Sequence, residues 1–104
     1  SRASELHATG LLCNKQGDPS AALSHFLEAH KLEPSRPAFI ISAANMALKM
    51  CNFEEAVAYY ESAGRLTLSK AQADMVRINL AKAASAAEAE ARIADAGQTL
   101  LTKQ

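Results

Sequence analysis

Tryptophan is absent, and only five of the 104 residues are aromatic. No charge of either sign predominates: 11 Lys and Arg stand against 11 Asp and Glu. That balance argues against overall electrostatic attraction to nucleic acid or an anionic membrane. No run approaches 18 apolar residues, so no segment reads as a membrane span, and no signal-peptide pattern begins at Ser1. Two cysteines, Cys13 and Cys51, make neither a disulfide framework nor a metal signature. They suit a reduced, cytoplasmic setting. Prolines occur only at Pro19, Pro34 and Pro37, leaving everything beyond residue 40 free of them. What fills the chain instead is alanine, at 23 positions. Small side chains of this kind suit closely packed helices.

Few residues are β-branched, and no window alternates polar and apolar residues for long, so the chain reads as all-α in one domain, 1–104. Helix-start signals recur along it. Asp18-Pro19 places an N-cap before a proline at the first helical position. Asn52-x-x-Glu55, Ser69-x-x-Gln72 and Ser85-x-x-Glu88 have the pattern of capping pairs. These signals predict six helices, over 3–16, 19–33, 37–50, 53–67, 70–84 and 86–102. One unbroken helix over 70–103 is the alternative, because Ser85 interrupts less strongly than Gly17-Asp18.

The pattern repeats. Ala22, Phe26 and Ala29, moved forward by 34, fall on Ala56, Tyr60 and Ala63; moved again by 33, they fall on Ala89, Ile93 and Ala96. Leu6 and Cys13 likewise map to Ile40 and Ala47, then Ala73 and Leu80. A period near 34 with two helices per unit is a solenoid signature, with units at 3–36, 37–69 and 70–103. The first unit reads Leu6-x2-Thr9-Gly10-x2-Cys13-x8-Ala22-x3-Phe26-x2-Ala29-x4-Pro34. This resembles the tetratricopeptide repeat, whose register is W-x2-L-G-x2-Y-x8-A-x3-F-x2-A-x4-P. The second unit departs by lacking the terminal proline and by carrying Cys51 where the turn glycine usually sits. The third replaces the small residue by Arg77 and has no Gly-Asp turn. The resemblance implies a right-handed α-solenoid of three antiparallel helix hairpins. Its last helix would be a wettable cap, polar through Glu88, Glu90, Arg92, Asp95, Gln98 and Lys103.

No catalytic constellation stands out. His7, His25 and His30 do not group with acids or cysteines at ligand spacing, and no G-x-S-x-G, phosphate loop or H-E-x-x-H occurs. Glu54-Glu55 reads as first-turn acid complementing a helix dipole. A non-catalytic binding module, with no cofactor and no metal, is the expectation. The resemblance implies a concave groove lined by the first helix of each pair, presenting His7, Leu11, Lys15, Ile41, Ser42, Asn45, Lys49, Asp74, Met75, Ile78 and Lys82. Leu11, Ile41 and Ile78 would hold apolar anchors of a peptide. Asn45 would bond its backbone. Lys15, Lys49 and Lys82 would form a row that steers an acidic partner; a plain solvated face near helix C-termini is the simpler explanation of those lysines. Some family members clamp the C-terminal carboxylate of chaperones, but the matching positions here, His7, Leu11, Ser42, Ala71 and Met75, all lack the needed Lys, Arg and Asn. A structural piece that stacks with further repeats or with itself is the alternative function.

Overall fold

The computed structural model describes residues 1–103, and every regular element in it is helical. The elements are α1 (Arg2–Lys15), α2 (Pro19–Leu32), α3 (Pro37–Lys49), α4 (Phe53–Gly64) and α5 (Lys70–Thr102). Local chemistry explains most of the starts. The Ser1 hydroxyl accepts from the Ser4 amide, and Asp18 Oδ1 accepts from the Ala21 amide at 3.0 Å, with Pro19 at the first helical position. Ser69 and Gln72 form a reciprocal capping box, at 3.1 and 3.0 Å. Asn52 does precede α4, but its side chain makes no capping bond. The fourth helix stops at Gly64, short of the expected 67, because Arg65 and Leu66 turn back in tighter bonds to Ser62 and Ala63.

The first two inter-helix turns are the same turn. At the end of α1, the Gly17 amide bonds the Asn14 carbonyl and the Asp18 amide bonds the Cys13 carbonyl. At the end of α3, Cys51 bonds Leu48 and Asn52 bonds Ala47, residue for residue 34 later. Both pairs are the Schellman pattern, which requires a left-handed residue after the helix. Gly17 supplies it at φ 84°, and Cys51 at φ 62°. A side chain in that region costs about 1–2 kcal/mol, so the second turn is held against an intrinsic penalty by its backbone bonds and the helices on either side.

Packing repeats with the turns. Ala22, Phe26 and Ala29 are buried, as are Ala56, Tyr60 and Ala63. Phe26 lies directly on Gly10: a methyl group added there would stand 2.7 Å from Phe26 Cδ1. The matching position one unit later is Ala44, buried in the same cluster as Tyr60. Val76 and Ala83 extend this cluster into α5, while Ala3, Leu6, Ala29 and Phe39 form a second one near the N-terminus.

The third unit corrects the six-helix expectation. α5 runs through Ser85 without a break, and 86–102 is not a separate helix. Ile93, placed by register with Phe26 and Tyr60, is 72% exposed. Three causes combine. The stretch from Ala83 to Ala91 is dominated by alanine, the best helix former. No glycine stands at the turn phase to adopt a left-handed bend. Arg77 occupies the position where Gly10 and Ala44 admit a neighbouring helix. At 1.5 Å per residue the 33 residues of α5 span about 50 Å, which accounts for the long dimension of the 58 × 29 × 20 Å molecule.

Two outcomes follow from this packing. Gly10→Ala should cost about 1–3 kcal/mol in urea unfolding, the usual range for overpacking. Gly97→Ala, in open space on α5, should instead gain up to about 1 kcal/mol; equal effects at the two sites would refute the contact with Phe26. Because 92–102 is exposed throughout, deletion of 92–104 should leave the melting temperature followed by circular dichroism unchanged. A large drop would show that this segment covers the core.

Candidate partner-binding face

The residues expected in a groove sit on α1, α3 and the first half of α5, and the structure divides them into three groups. The first group is occupied by bonds to other side chains, several of them between successive units. His7 Nε2 lies 2.9 Å from Ser42 Oγ. Its ring is held between Phe26 and Phe39, with centroids 5.2 and 5.1 Å away. Lys49 donates to Asn14 Oδ1 at 2.9 Å. Asn45 accepts from the Tyr60 hydroxyl and, at 3.4 Å, from Asn79 Nδ2, while its own amide points at Met75 Sδ. Asn45 therefore has its carbonyl engaged and is not the free backbone receptor that the sequence suggested. Asp74 is likewise taken, paired with Lys70 at 3.0 Å and Arg77 at 3.7 Å.

The second group is buried. Ile41, expected as a groove anchor, is 6% exposed and belongs to the core. The third group remains open: Leu11, Met75 and Ile78 are 50, 44 and 50% exposed, and Lys15 and Lys82 are exposed beside them. On α1, Leu11 lies between His7 and Asn14, at the i, i+4, i+7 spacing that keeps one helix side. On α5, Ile78 follows Met75 by three residues and precedes Lys82 by four.

Several contributors were not singled out from the sequence. Asn14 and Asn79 complete the inter-unit bonds, and Tyr60, expected as core, also anchors Asn45. The signal was the period itself: Asn45 and Asn79 are 34 apart, and the His7–Ser42 and Asn14–Lys49 pairs are 35 apart. Arg36 was missed as well. Its guanidinium lies 4.4 Å over the Phe39 ring and donates to Ser4 Oγ at 3.0 Å and Glu33 Oε1 at 3.3 Å. Hydrogen bonds from Ser1 and Arg36 hold the partly exposed Glu33 carboxyl below its ordinary range. Burial pushes the Tyr60 hydroxyl up.

Among the described residues, no three His, Cys, Asp or Glu side chains are grouped to hold a metal ion. No helix among them is long and apolar enough to cross a membrane. No family model matches the chain, and no curated protein matches it at significant similarity.

His7 carries a consequence for stability. Burial, and after it the charge of Arg36, hold its pKa below the ordinary 6.5. The neutral ring is thus the form the fold favours. Its contribution is fully present above the unfolded value and is lost as pH falls below 6.5 toward the folded one. Urea midpoints measured between about pH 7.5 and pH 5 should fall with acid in the native chain and fall less in His7→Gln. Parallel curves for the two chains would show that His7 does not carry the effect.

Proposed function

We propose that this chain is a non-catalytic protein-interaction module, built as a short tetratricopeptide-like right-handed solenoid. It binds an acidic peptide segment of another protein along the face of α1, α3 and α5. The observation that carries this reading is the contrast within that face. Several of its polar side chains, His7, Ser42, Asn45 and Lys49, are spent on tying one unit to the next, which makes the face rigid, yet Leu11, Met75 and Ile78 stay half-exposed on it. A rigid surface with half-open apolar side chains loses little entropy when a peptide docks. Lys15 and Lys82 contribute orientation and association rate more than affinity, since exposed pairs are worth about 0–1 kcal/mol each. Lys49 is the weakest member of the row, because Asn14 already holds it. A chaperone-tail carboxylate is no part of this proposal: His7 and Ser42, two of the matching positions, bond each other.

A second reading is a structural role through self-association. It is favoured by the projecting end of α5, where Ile93, Leu100 and Leu101 are exposed. Sedimentation separates the two, since a mass independent of concentration disfavours self-assembly.

The test of the first reading is capture of partners from cell extract by the immobilised native chain and by a variant carrying Leu11→Asp and Ile78→Asp. Proteins retained by the native chain should be lost from the variant. Replacing Lys15, Lys49 and Lys82 by Glu should weaken capture at low salt and change it little at high salt. Identical capture by all three chains would sink the proposal.

A further inference from the structure

A groove of ≈ 370 Å³ runs between α4 and α5, floored by Val57, Ala84, Ala87 and Ala91 and edged by Glu54 and Glu88. The face of Leu11, Met75 and Ile78 is open as well, and it differs from the groove in one respect. A hydrogen-bond donor is aimed at one of its apolar side chains: Asn45 Nδ2 lies 3.9 Å from Met75 Sδ. Among the described residues, Met75 is the one large exposed apolar side chain with an atom able to accept such a bond.

That donor is held in place. The Asn45 side-chain carbonyl accepts from the hydroxyl of Tyr60, whose ring is wholly buried, and from Asn79 Nδ2 at 3.4 Å. Turning the amide over would set its NH2 group against the Asn79 donor. The carbonyl end is therefore fixed, and the NH2 end faces the sulfur. A thioether is only a weak acceptor. A sulfoxide oxygen is a strong one, and an oxygen added to the sulfur would stand in the gap that now separates it from the amide. Met46, by contrast, is 7% exposed and belongs to the core.

We propose that Met75 is a site of reversible oxidation by peroxide, and that the Asn45 amide holds the resulting sulfoxide. The sulfur lone pair attacks one oxygen of hydrogen peroxide. The O–O bond breaks as the S–O bond forms, and the proton on the transferred oxygen passes to the departing hydroxyl, which leaves as water. Sulfur loses two electrons and the peroxide gains them. A sulfoxide reductase reverses the change, with a dithiol as electron donor: the dithiol becomes a disulfide and the oxygen leaves as water. The modification puts a polar side chain, already bonded to its neighbour, where an apolar one stood. Given the docking role proposed above, on which this last step rests, oxidation removes one of the three open apolar side chains, Leu11, Met75 and Ile78, and weakens partner capture.

The test treats the full chain with dilute hydrogen peroxide and follows each methionine by mass spectrometry. Met75 should convert to the sulfoxide while Met46 stays a thioether. In proton–nitrogen NMR spectra the Asn45 side-chain amide should move downfield on oxidation, as a stronger acceptor replaces the sulfur. It should stay in place in Met75→Leu treated in the same way, which accounts for oxidation elsewhere in the chain. Asn45→Asp keeps an oxygen for Tyr60 and Asn79 but removes the donor. Relative to the matching chains with Met75→Leu, oxidation should leave the melting temperature of the native chain unlowered and should reduce it in Asn45→Asp, where the sulfoxide oxygen meets a carboxylate. Should Asn45→Asp fail to fold, the amide shift decides alone. Conversion of Met46 as fast as Met75, an unmoved Asn45 amide, or the same thermal response with and without Asn45→Asp would overturn the proposal. Capture from cell extract separates the modification from the docking role. A partner held equally by the reduced and the oxidised native chain refutes the switch. No partner at all refutes the docking face and leaves the oxidation site to be decided by the amide shift.

Discussion

The contact between Phe26 and Gly10 sets the distance between α1 and α2. An aromatic ring can fill the space between two helices only if the facing residue has almost no side chain, because interiors pack at crystal-like density. Once Phe26 is seated, Ala22 and Ala29 on either side of it must also be small, and both are fully buried. The left-handed turn at Gly17 then brings α2 back along α1. The next unit repeats this with Tyr60 and Ala44, and it accepts a strained cysteine at the turn because the helices on either side are already positioned. Where Arg77 replaces the small residue and no residue offers the turn, the pattern ends. α5 is the physical result of that ending.

The bonds between units depend on the same spacing. Side chains one period apart meet when units stack, which is why His7 finds Ser42, Lys49 finds Asn14 and Asn79 finds Asn45. These pairs remove most polar groups from the face that a peptide would use. What remains there is apolar side chain with exposed lysine beside it. The groove between α4 and α5 has the opposite character, apolar below and acidic above. A chain whose net charge is zero thus carries one face with exposed lysine and one groove edged by glutamate, which total charge alone conceals.

The all-helical class and the spacing of the buried residues were legible in the amino-acid sequence. Four helices and the start of the fifth lie within a few residues of where capping residues and prolines put them, the main discrepancy being the early end at Gly64. The buried sets Ala22, Phe26, Ala29 and Ala56, Tyr60, Ala63 were readable from spacing because a helix face recurs by geometry. The candidate site was legible in part: Leu11, Met75, Ile78, Lys15 and Lys82 are open, while Ile41 is core and Asn45 is already bonded. Spacing tells which side of a helix a residue takes, but not whether a neighbour has claimed its polar atoms.

Sequence alone therefore determined the period, the helical class, the two complete hairpin cores and the positions of their turns, because each rests on contacts or backbone preferences within about 34 residues. Only the tertiary structure decided the fate of 86–102. The capping signature at Ser85 competes there with an alanine-rich stretch that prefers to stay helical, and the balance depends on whether the facing helix offers a place to dock. Arg77 does not supply the small residue that such docking needs. The same holds for His7, whose neutral form is favoured by burial between two rings and by Arg36, neither of which is adjacent to it in the chain.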